Sequence, residues 1–577
     1  MEKTGTEIIV ETLQREGVEV VFGIPGGVSL PLFDQFYRSN FPVVLTRHEQ
    51  GAAHMADGYA RASGRVGVCV ATSGPGATNL VTGLATAHMD SIPVVAITSQ
   101  VRTDSIGSDA FQEADITGIT RPITKHNYLV KDVRDLGRVL KEAFYIASSG
   151  RPGPVLVDIP VDVQRAKTVW KWEEKIEIRS YKPNTKGHPV QIKRAAEMIK
   201  EAKRPLLYVG GGTIYSGATA ELRRLAEKGN IPIIWTLMAN GAIPPAHDLA
   251  MGPVGMHGKY AANIAVQKCD LLIAAGARFD DRVTGHLEKF SPQSKKIHID
   301  IDPSNISKTV RAHCPVVGDL KQVLAQLVED IPQLDHAAWV KEIHEMDQKN
   351  PLTYKQDDAL HPQYVLQELH RLTKGDAIVA TGVGQHQMWS MQWYQCNSPR
   401  HFLTSGGLGT MGYGFPAALG AKFAHPEELV VCIEGDGSFQ MTACELATST
   451  HEKKPVLVII LNNYFLGMVR QWQELFYGER YSSSCLGGEK SGSVSKDKMP
   501  HPSKDGYVPD FVKLAEAQGA VGMRISKKEQ VTAALEKALQ EVKQRTVVLD
   551  VLIDPYEKVF PMVPAGAGLD EIIVDMA

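Results

Sequence analysis

Along the chain, short apolar runs rich in β-branched residues alternate with stretches whose apolar positions recur at helical spacing. Thr4-x-x-Glu7 forms a capping-box pattern, and Ile8, Ile9 and Leu13 follow it on one predicted helix face. Residues 43–45, 66–70 and 93–97 read as strands buried on both faces, which is what a parallel sheet covered by helices requires. This pattern defines a first domain over residues 1–165. A charged connector at 168–187 separates it from a second domain, 188–330, with strands predicted at 205–209, 231–234, 271–274 and 296–299. Another polar stretch, 335–360, leads to a third domain over 360–555, with strands predicted at 377–379, 429–433 and 456–460, and a C-terminal arm at 556–577. The predicted fold class is α/β, with three doubly wound parallel-sheet domains in series.

The first and third domains carry the same features in the same order. Gly74-Pro75-Gly76, Leu84-Ala85-Thr86 and Ile92-Pro93-Val94-Val95 in the first correspond to Gly435-Asp436-Gly437, Leu446-Ala447-Thr448 and Lys454-Pro455-Val456-Leu457 in the third. The offset is 361 residues at the glycines and 362 at the prolines, which points to two related sheets. They differ where chemistry would sit, because Pro75 in one faces Asp436 in the other.

Composition narrows the function. At 577 residues and 63.1 kDa the chain exceeds one ordinary core, and 43 % apolar with 22 % charged residues is that of a globular protein. A net charge of −3 without a dense Lys/Arg stretch argues against nucleic acid and favours small-molecule ligands. The seven cysteines are scattered and never spaced as CxxC, so neither a disulfide framework nor a zinc site is indicated, and a cytoplasmic location is expected. No apolar run approaches the length of a membrane span, and the first residues are too polar for a signal peptide.

Asp436 lies between two glycines directly after a predicted buried strand, and Asn462-Asn463 closes the next strand, with Asn463 27 residues beyond Asp436. Neighbouring parallel strands place their C-terminal ends side by side, so Asp436 and Asn463 can converge in the crevice where open α/β sheets bind ligands. Oxygen donors of this kind suit Mg²⁺ completed by phosphate oxygens and water. Gly435 and Gly437 let a diphosphate approach the backbone, and a helix predicted to start near Ser438 points its N-terminus at it. A GDG triplet alone is equally a strand-end Asx turn; the spaced asparagine pair favours the site.

This spacing is that of the thiamine diphosphate-binding motif. The stretch from Gly435-Asp436-Gly437-Ser438 through Gly467-Met468-Val469-Arg470-Gln471-Trp472 resembles the catalytic large subunits of the acetohydroxyacid synthase (acetolactate synthase) family. The resemblance extends over Phe22 to Gly27, Arg47-His48-Glu49-Gln50, Gly150 to Val155, Gly255-Met256-His257-Gly258, Arg278 to Gly285 and Ser405 to Gly412. It implies pyrimidine-binding, central and diphosphate-binding domains. It also implies an enzyme that decarboxylates pyruvate and ligates the fragment to a second 2-keto acid, the first common step of branched-chain amino acid biosynthesis.

The resemblance assigns roles residue by residue. Glu49, presented across a subunit interface, would hydrogen-bond the cofactor's aminopyrimidine; position alone allows an acid that merely stabilises a helix N-terminus. Gln112 and Gly27 would join it at the reacting atoms. Gln385, His386, Gly409, Gly435, Asp436, Gly437, Ser438 and Asn463 would hold thiamine diphosphate, with Phe465 joining Asp436 and Asn463 around Mg²⁺. Met411 would be the apolar wedge that bends the cofactor; by default it is a core methionine. Arg282 would take the second keto acid's carboxylate, its alternative being a surface pair with Asp280 or Asp281. Val469, Trp472, Met256 and Phe111 would wall the substrate pocket, and Trp472, three residues after Val469 and so on one helix face, would favour 2-ketobutyrate over pyruvate. Arg151, His257, Arg278, Asp300 and Asp319 would contact FAD. Gly210-Gly211-Gly212 on its own is a weak dinucleotide signal.

Two features depart from the family pattern. Val161 stands where a lysine is usual, and the polar run from Cys485 to Val508 is longer than expected and reads as a flap at the mouth of the site. Related chemistries are a pyruvate oxidase, a glyoxylate carboligase and a flavin-free catabolic acetolactate synthase; a non-catalytic regulatory subunit is a different class. Glu49 argues against the carboligase and the Arg278 to Gly285 string against the flavin-free branch. A site shared between chains implies a homodimer or homotetramer, with a small regulatory subunit as a possible further partner.

Overall fold

The computed structural model describes residues 2–487 and 509–574. Its framework is three six-stranded sheets, each wholly parallel, in which nearly continuous Val/Ile/Leu runs are covered by helices on both faces. The first sheet runs Val43–Leu45, Val21–Gly23, Gly67–Ala71, Val94–Gln100, Val155–Pro160, His126–Leu129. The third runs Phe402–Leu403, Ile378–Thr381, Val430–Gly435, Leu457–Asn462, Val547–Leu552, Val521–Ile525. Numbered within each domain, both have the order 2-1-3-4-6-5, so the offset repeat in the sequence is a repeat of topology. The central sheet has the order 3-2-1-4-5-6, that of a dinucleotide-binding fold.

The Thr4–Glu7 capping box forms as expected at the head of the Gly5–Arg15 helix. Val43–Leu45 departs from its reading: it is an edge strand, with Val44 buried and Leu45 exposed, because pairing on one side only leaves its outer face uncovered. The strands Val21–Gly23, His126–Leu129 and Cys314–Val317 were not legible as runs, being only 3 or 4 residues long.

The first and third domains share one apolar core. Its seam is the Glu49–Ser63 helix against the Gly414–Ala424 helix. They approach until a Cβ on Gly58 would stand 2.2 Å from the Ala417 carbonyl oxygen, and one on Gly420 2.0 Å from that of Met55. The C-terminal segment returns to the central domain, where the Val563 N–H donates to the Met256 carbonyl at 2.8 Å, and Gln392 of the third domain holds it through a bond to the Phe560 carbonyl at 3.1 Å. Of the polar run predicted as a flap, residues 488–508 lie outside the described residues; just before them, the Leu486 N–H donates to the Tyr464 carbonyl at 2.7 Å.

Candidate active site

The third sheet reverses its strand order between its first and third strands, and that is where the polar residues converge. Ile378–Thr381 leads into the Gln385–Trp393 helix, Val430–Gly435 into a short helix that starts at Asp436 rather than near Ser438, and Leu457–Asn462 into Asn463. Gly435 lies in register with Leu461, so Asp436 and Asn463 leave adjacent strands side by side. Together with Gln385, His386, Ser438 and Phe465 they line a crevice of about 60 Å³, which Met411 and Val469 border.

The electrostatics of the crevice suit a cation and an anion bound together. Asp436 is only 3 % exposed, and burial pushes its carboxyl up to about 8, so ionisation there calls for a positive partner. Asn463 Oδ1 accepts from the Phe465 N–H at 3.0 Å, while its Nδ2 donates to Gln385 Oε1 at 3.1 Å. His386 is buried and burial holds its pKa down at about 3, so the ring is neutral; its Nε2 has no hydrogen-bond partner among the described residues. No group of three or more His, Cys, Asp or Glu is placed to hold a metal among the described residues. A metal here would rest on one carboxylate, an amide oxygen and main-chain carbonyls, a donor set that fits Mg²⁺ carrying phosphate and water oxygens.

A second, much larger cavity of about 1010 Å³ runs from the central domain to this crevice. Arg151, Met256, His257, Arg278, Arg282, Asp300 and Asp319 line it from one side, and Gly409, Met411, Val469 and Trp472 from the other. Gly210, Gly211 and Gly212 also face it, at the end of the Pro205–Val209 strand, so the triplet is part of the groove and not a remote turn. Several lining groups are engaged locally. Arg151 donates to Ser91 at 2.8 Å and lies 3.4 Å from Asp302; Asp300 accepts from the Asp302 N–H at 2.9 Å; Asp319 caps the Leu320–Asp330 helix. His257 accepts no charge, since burial lowers its pKa to about 4.

Four predicted residues line neither cavity of the single chain: Gly27, Glu49, Phe111 and Gln112. They lie at the C-terminal edge of the first sheet. Glu49, 9 % exposed, opens its helix and accepts from Asn79 Nδ2 at 2.9 Å. Gln112 adopts φ +60° against Gly74, and Phe111 beside it is 88 % exposed.

Sequence reading missed several groups. Glu434, fully buried behind the crevice, has its carboxyl pushed up to about 8 by burial and accepts from the Phe415 N–H at 3.2 Å. An acid inside an otherwise apolar strand was the available signal. Gln471 accepts from Gln385 at 2.9 Å and from the Val559 N–H at 2.9 Å, tying the crevice to the C-terminal segment. No local pattern announces that role.

Two sheets of one strand order flanking a dinucleotide-type sheet, with an Asp/Asn crevice at the end of the third, define the class of thiamine pyrophosphate enzymes. Family models agree: the N-terminal TPP binding domain matches residues 3–119, the central domain 192–327 and the C-terminal TPP binding domain 382–551. The acetolactate synthase of Mycobacterium bovis is 51 % identical over 99 % of this chain and 91 % of its own. The acetolactate synthase isozyme 3 large subunit of Escherichia coli is 47 % identical over 99 % and 98 %, and the probable acetolactate synthase large subunit of Methanocaldococcus jannaschii 47 % over 99 % and 95 %. The chain belongs to the acetolactate synthase large-subunit family. No described helix is long and apolar enough to cross a membrane.

Proposed function

We propose that this chain is a thiamine diphosphate-dependent acetolactate synthase, converting two pyruvates to acetolactate and CO₂, or pyruvate and 2-ketobutyrate to the homologous product. The observation that carries the reading is the crevice at Asp436 and Asn463 opening into a cavity walled by Val469, Trp472 and Arg282. Thiamine diphosphate, when bound, would supply the nucleophile that adds to the keto carbonyl and the electron sink for decarboxylation, and pyruvate's own carbonyl carbon then joins the second keto acid. Asp436, Asn463 and the main chain near Phe465 would hold Mg²⁺; His386 and Ser438 would face the diphosphate. Met468 and Val469 would give the reacting carboxylate an apolar wall, which favours its departure as neutral CO₂. Arg282 offers a permanent cation to the carboxylate of the second substrate.

Glu49 would complete the site from a second chain, presented with Gly27 and Gln112 on the edge of the first sheet. Exposed Phe111, Leu45 and Leu30 on that domain fit a surface covered by a partner. The central groove, with its dinucleotide-type strand order, would take FAD, which has no net redox part in a carboligation that neither oxidises nor reduces overall. The designation of relatives as large subunits supports a smaller regulatory partner.

The test is direct. Purified protein with pyruvate, Mg²⁺, thiamine diphosphate and FAD is expected to form acetolactate and CO₂ in a one-to-one ratio. Acetate or acetyl phosphate with reduced flavin instead would replace this reading by that of an oxidase.

A further inference from the structure

The stretch 405–411 reaches the large cavity from the third domain, yet what holds it comes from the first. Asp90 is the last residue of the Val81–Asp90 helix, where a negative charge faces the negative end of the helix dipole. Its carboxylate is spoken for otherwise. Oδ2 accepts from Arg61 Nη2 at 2.8 Å and from the Gly406 N–H at 3.1 Å, and Oδ1 accepts from the Gly407 N–H at 2.7 Å. Arg61 also donates to Asp57 at 2.6 Å, and the Tyr413 hydroxyl donates to that same carboxylate at 2.6 Å. All four side chains are buried. Burial opposes the charge on Arg61, but Asp57, Tyr413, Tyr215 and Asp90 around it outweigh that and hold its pKa well above the ordinary value.

The other side of Asp90 belongs to the central groove. Arg278 donates to the Met89 carbonyl at 2.7 Å, and a Cβ on Gly407 would stand 2.7 Å from Arg278 Nη2. Met89, Asp90, Ser91 and Arg278 line the large cavity, as do Gly409 and Met411, and Met411 borders the crevice as well. One buried carboxylate thus touches the groove on one side and, through two backbone N–H groups, fixes the loop that reaches the crevice.

We infer that Asp90 is a positioning residue which couples occupancy of the central groove to binding in the crevice, resting on the reading above that FAD fills the first and thiamine diphosphate the second. A ligand seated against Arg278 and residues 89–91 steadies the carboxylate and with it the Gly406–Gly407 backbone. The second ligand then orders less of the loop on binding. Linkage requires the effect to run equally in both directions.

The experiment uses the full chain stripped of both cofactors and titrated with thiamine diphosphate at fixed Mg²⁺, with and without FAD, following quenching of tryptophan fluorescence. For the unaltered chain the Kd is expected to fall about five-fold or more when FAD is present. Asp90→Asn sets an amide N–H against the donors of Arg61 and Gly406, and the ratio of the two Kd values is expected to drop to near one. Arg61→Lys keeps the charge but cannot bridge Asp57 and Asp90, and should lower the ratio too. A merely structural role would lower thermal stability without moving the ratio. An unaltered ratio in whichever variant folds, or a ratio of one in the original chain, overturns the inference alone. An original chain that binds neither ligand overturns the reading of the site together with it.

Discussion

The Arg282 guanidinium carbon stands 5.8 Å from the centre of the Trp472 indole ring, a cation over an aromatic face. Arg282 comes from the central domain and Trp472 from the Gly467–Phe476 helix of the third. The Asp281 carboxylate is 3.9 Å from Arg282 and 80 % exposed, too loose a partner to neutralise it. The indole therefore steers the guanidinium into the cavity while leaving its N–H groups open to an anion.

Replacing Trp472 by Leu removes that steering and widens the acceptor pocket. With pyruvate and 2-ketobutyrate supplied together, the product ratio is expected to shift about ten-fold toward acetolactate, the size of effect a pocket fitted to one methylene supplies. Arg282→Ala should instead raise the KM for the acceptor by about ten-fold or more, as loss of a charge-assisted bond predicts. Chromatography of the mixed products distinguishes the two.

Glu49→Gln leaves the hydrogen bond to Asn79 feasible but removes the ionisable group, so kcat should drop by about 10²–10⁴. If sites are shared, mixing that variant with Asp436→Ala restores about a quarter of the activity, because half of randomly paired dimers are mixed and each carries one intact site. A mixture as inactive as either variant alone would place Glu49 and Asp436 of one chain at the same site.

Asp436→Ala should raise the Mg²⁺ concentration needed for half-maximal binding of thiamine diphosphate by about 100-fold or more, while Gln471→Leu, which acts on Asn463 only through Gln385, should raise it about ten-fold. Fluorescence titrations with Mg²⁺ measure both. Equal effects would mean that Gln471 is not subordinate.

His361 lies between Glu557 at 2.5 Å and Asp357 at 2.6 Å. Burial opposes its charge, but bonds to the two carboxylates outweigh that and raise its pKa above the ordinary 6.5. A histidine raised on folding contributes its full stability below the unfolded pKa and loses it as pH rises through the folded one. The gap in urea stability between the original chain and His361→Gln should therefore be largest near pH 6 and shrink as pH rises above about 6.5. A gap that grows with pH would reverse the assignment.

How much was legible varies with the range of the interaction involved. Asp436 and Asn463 could be read because each ends an adjacent parallel strand, and strand adjacency is written locally in apolar runs. Helical spacing put Val469 and Trp472 on one helix face, while their place at a pocket wall was implied only by the family resemblance. Asp90 and Gln471 could not be read, since their partners lie 316 and 88 residues away and only packing brings them together.

The sequence by itself determined the three α/β units, the repeat of the first in the third and the residue types at the crevice, because period, propensity and strand-end chemistry act over a few residues. The tertiary structure alone decided that Glu49, Gly27 and Gln112 line neither cavity of their own chain and that one cavity joins the central groove to the crevice. Those outcomes depend on how closely two glycine-bearing helices approach and on which buried charges find each other, and neither is set by any local run of residues.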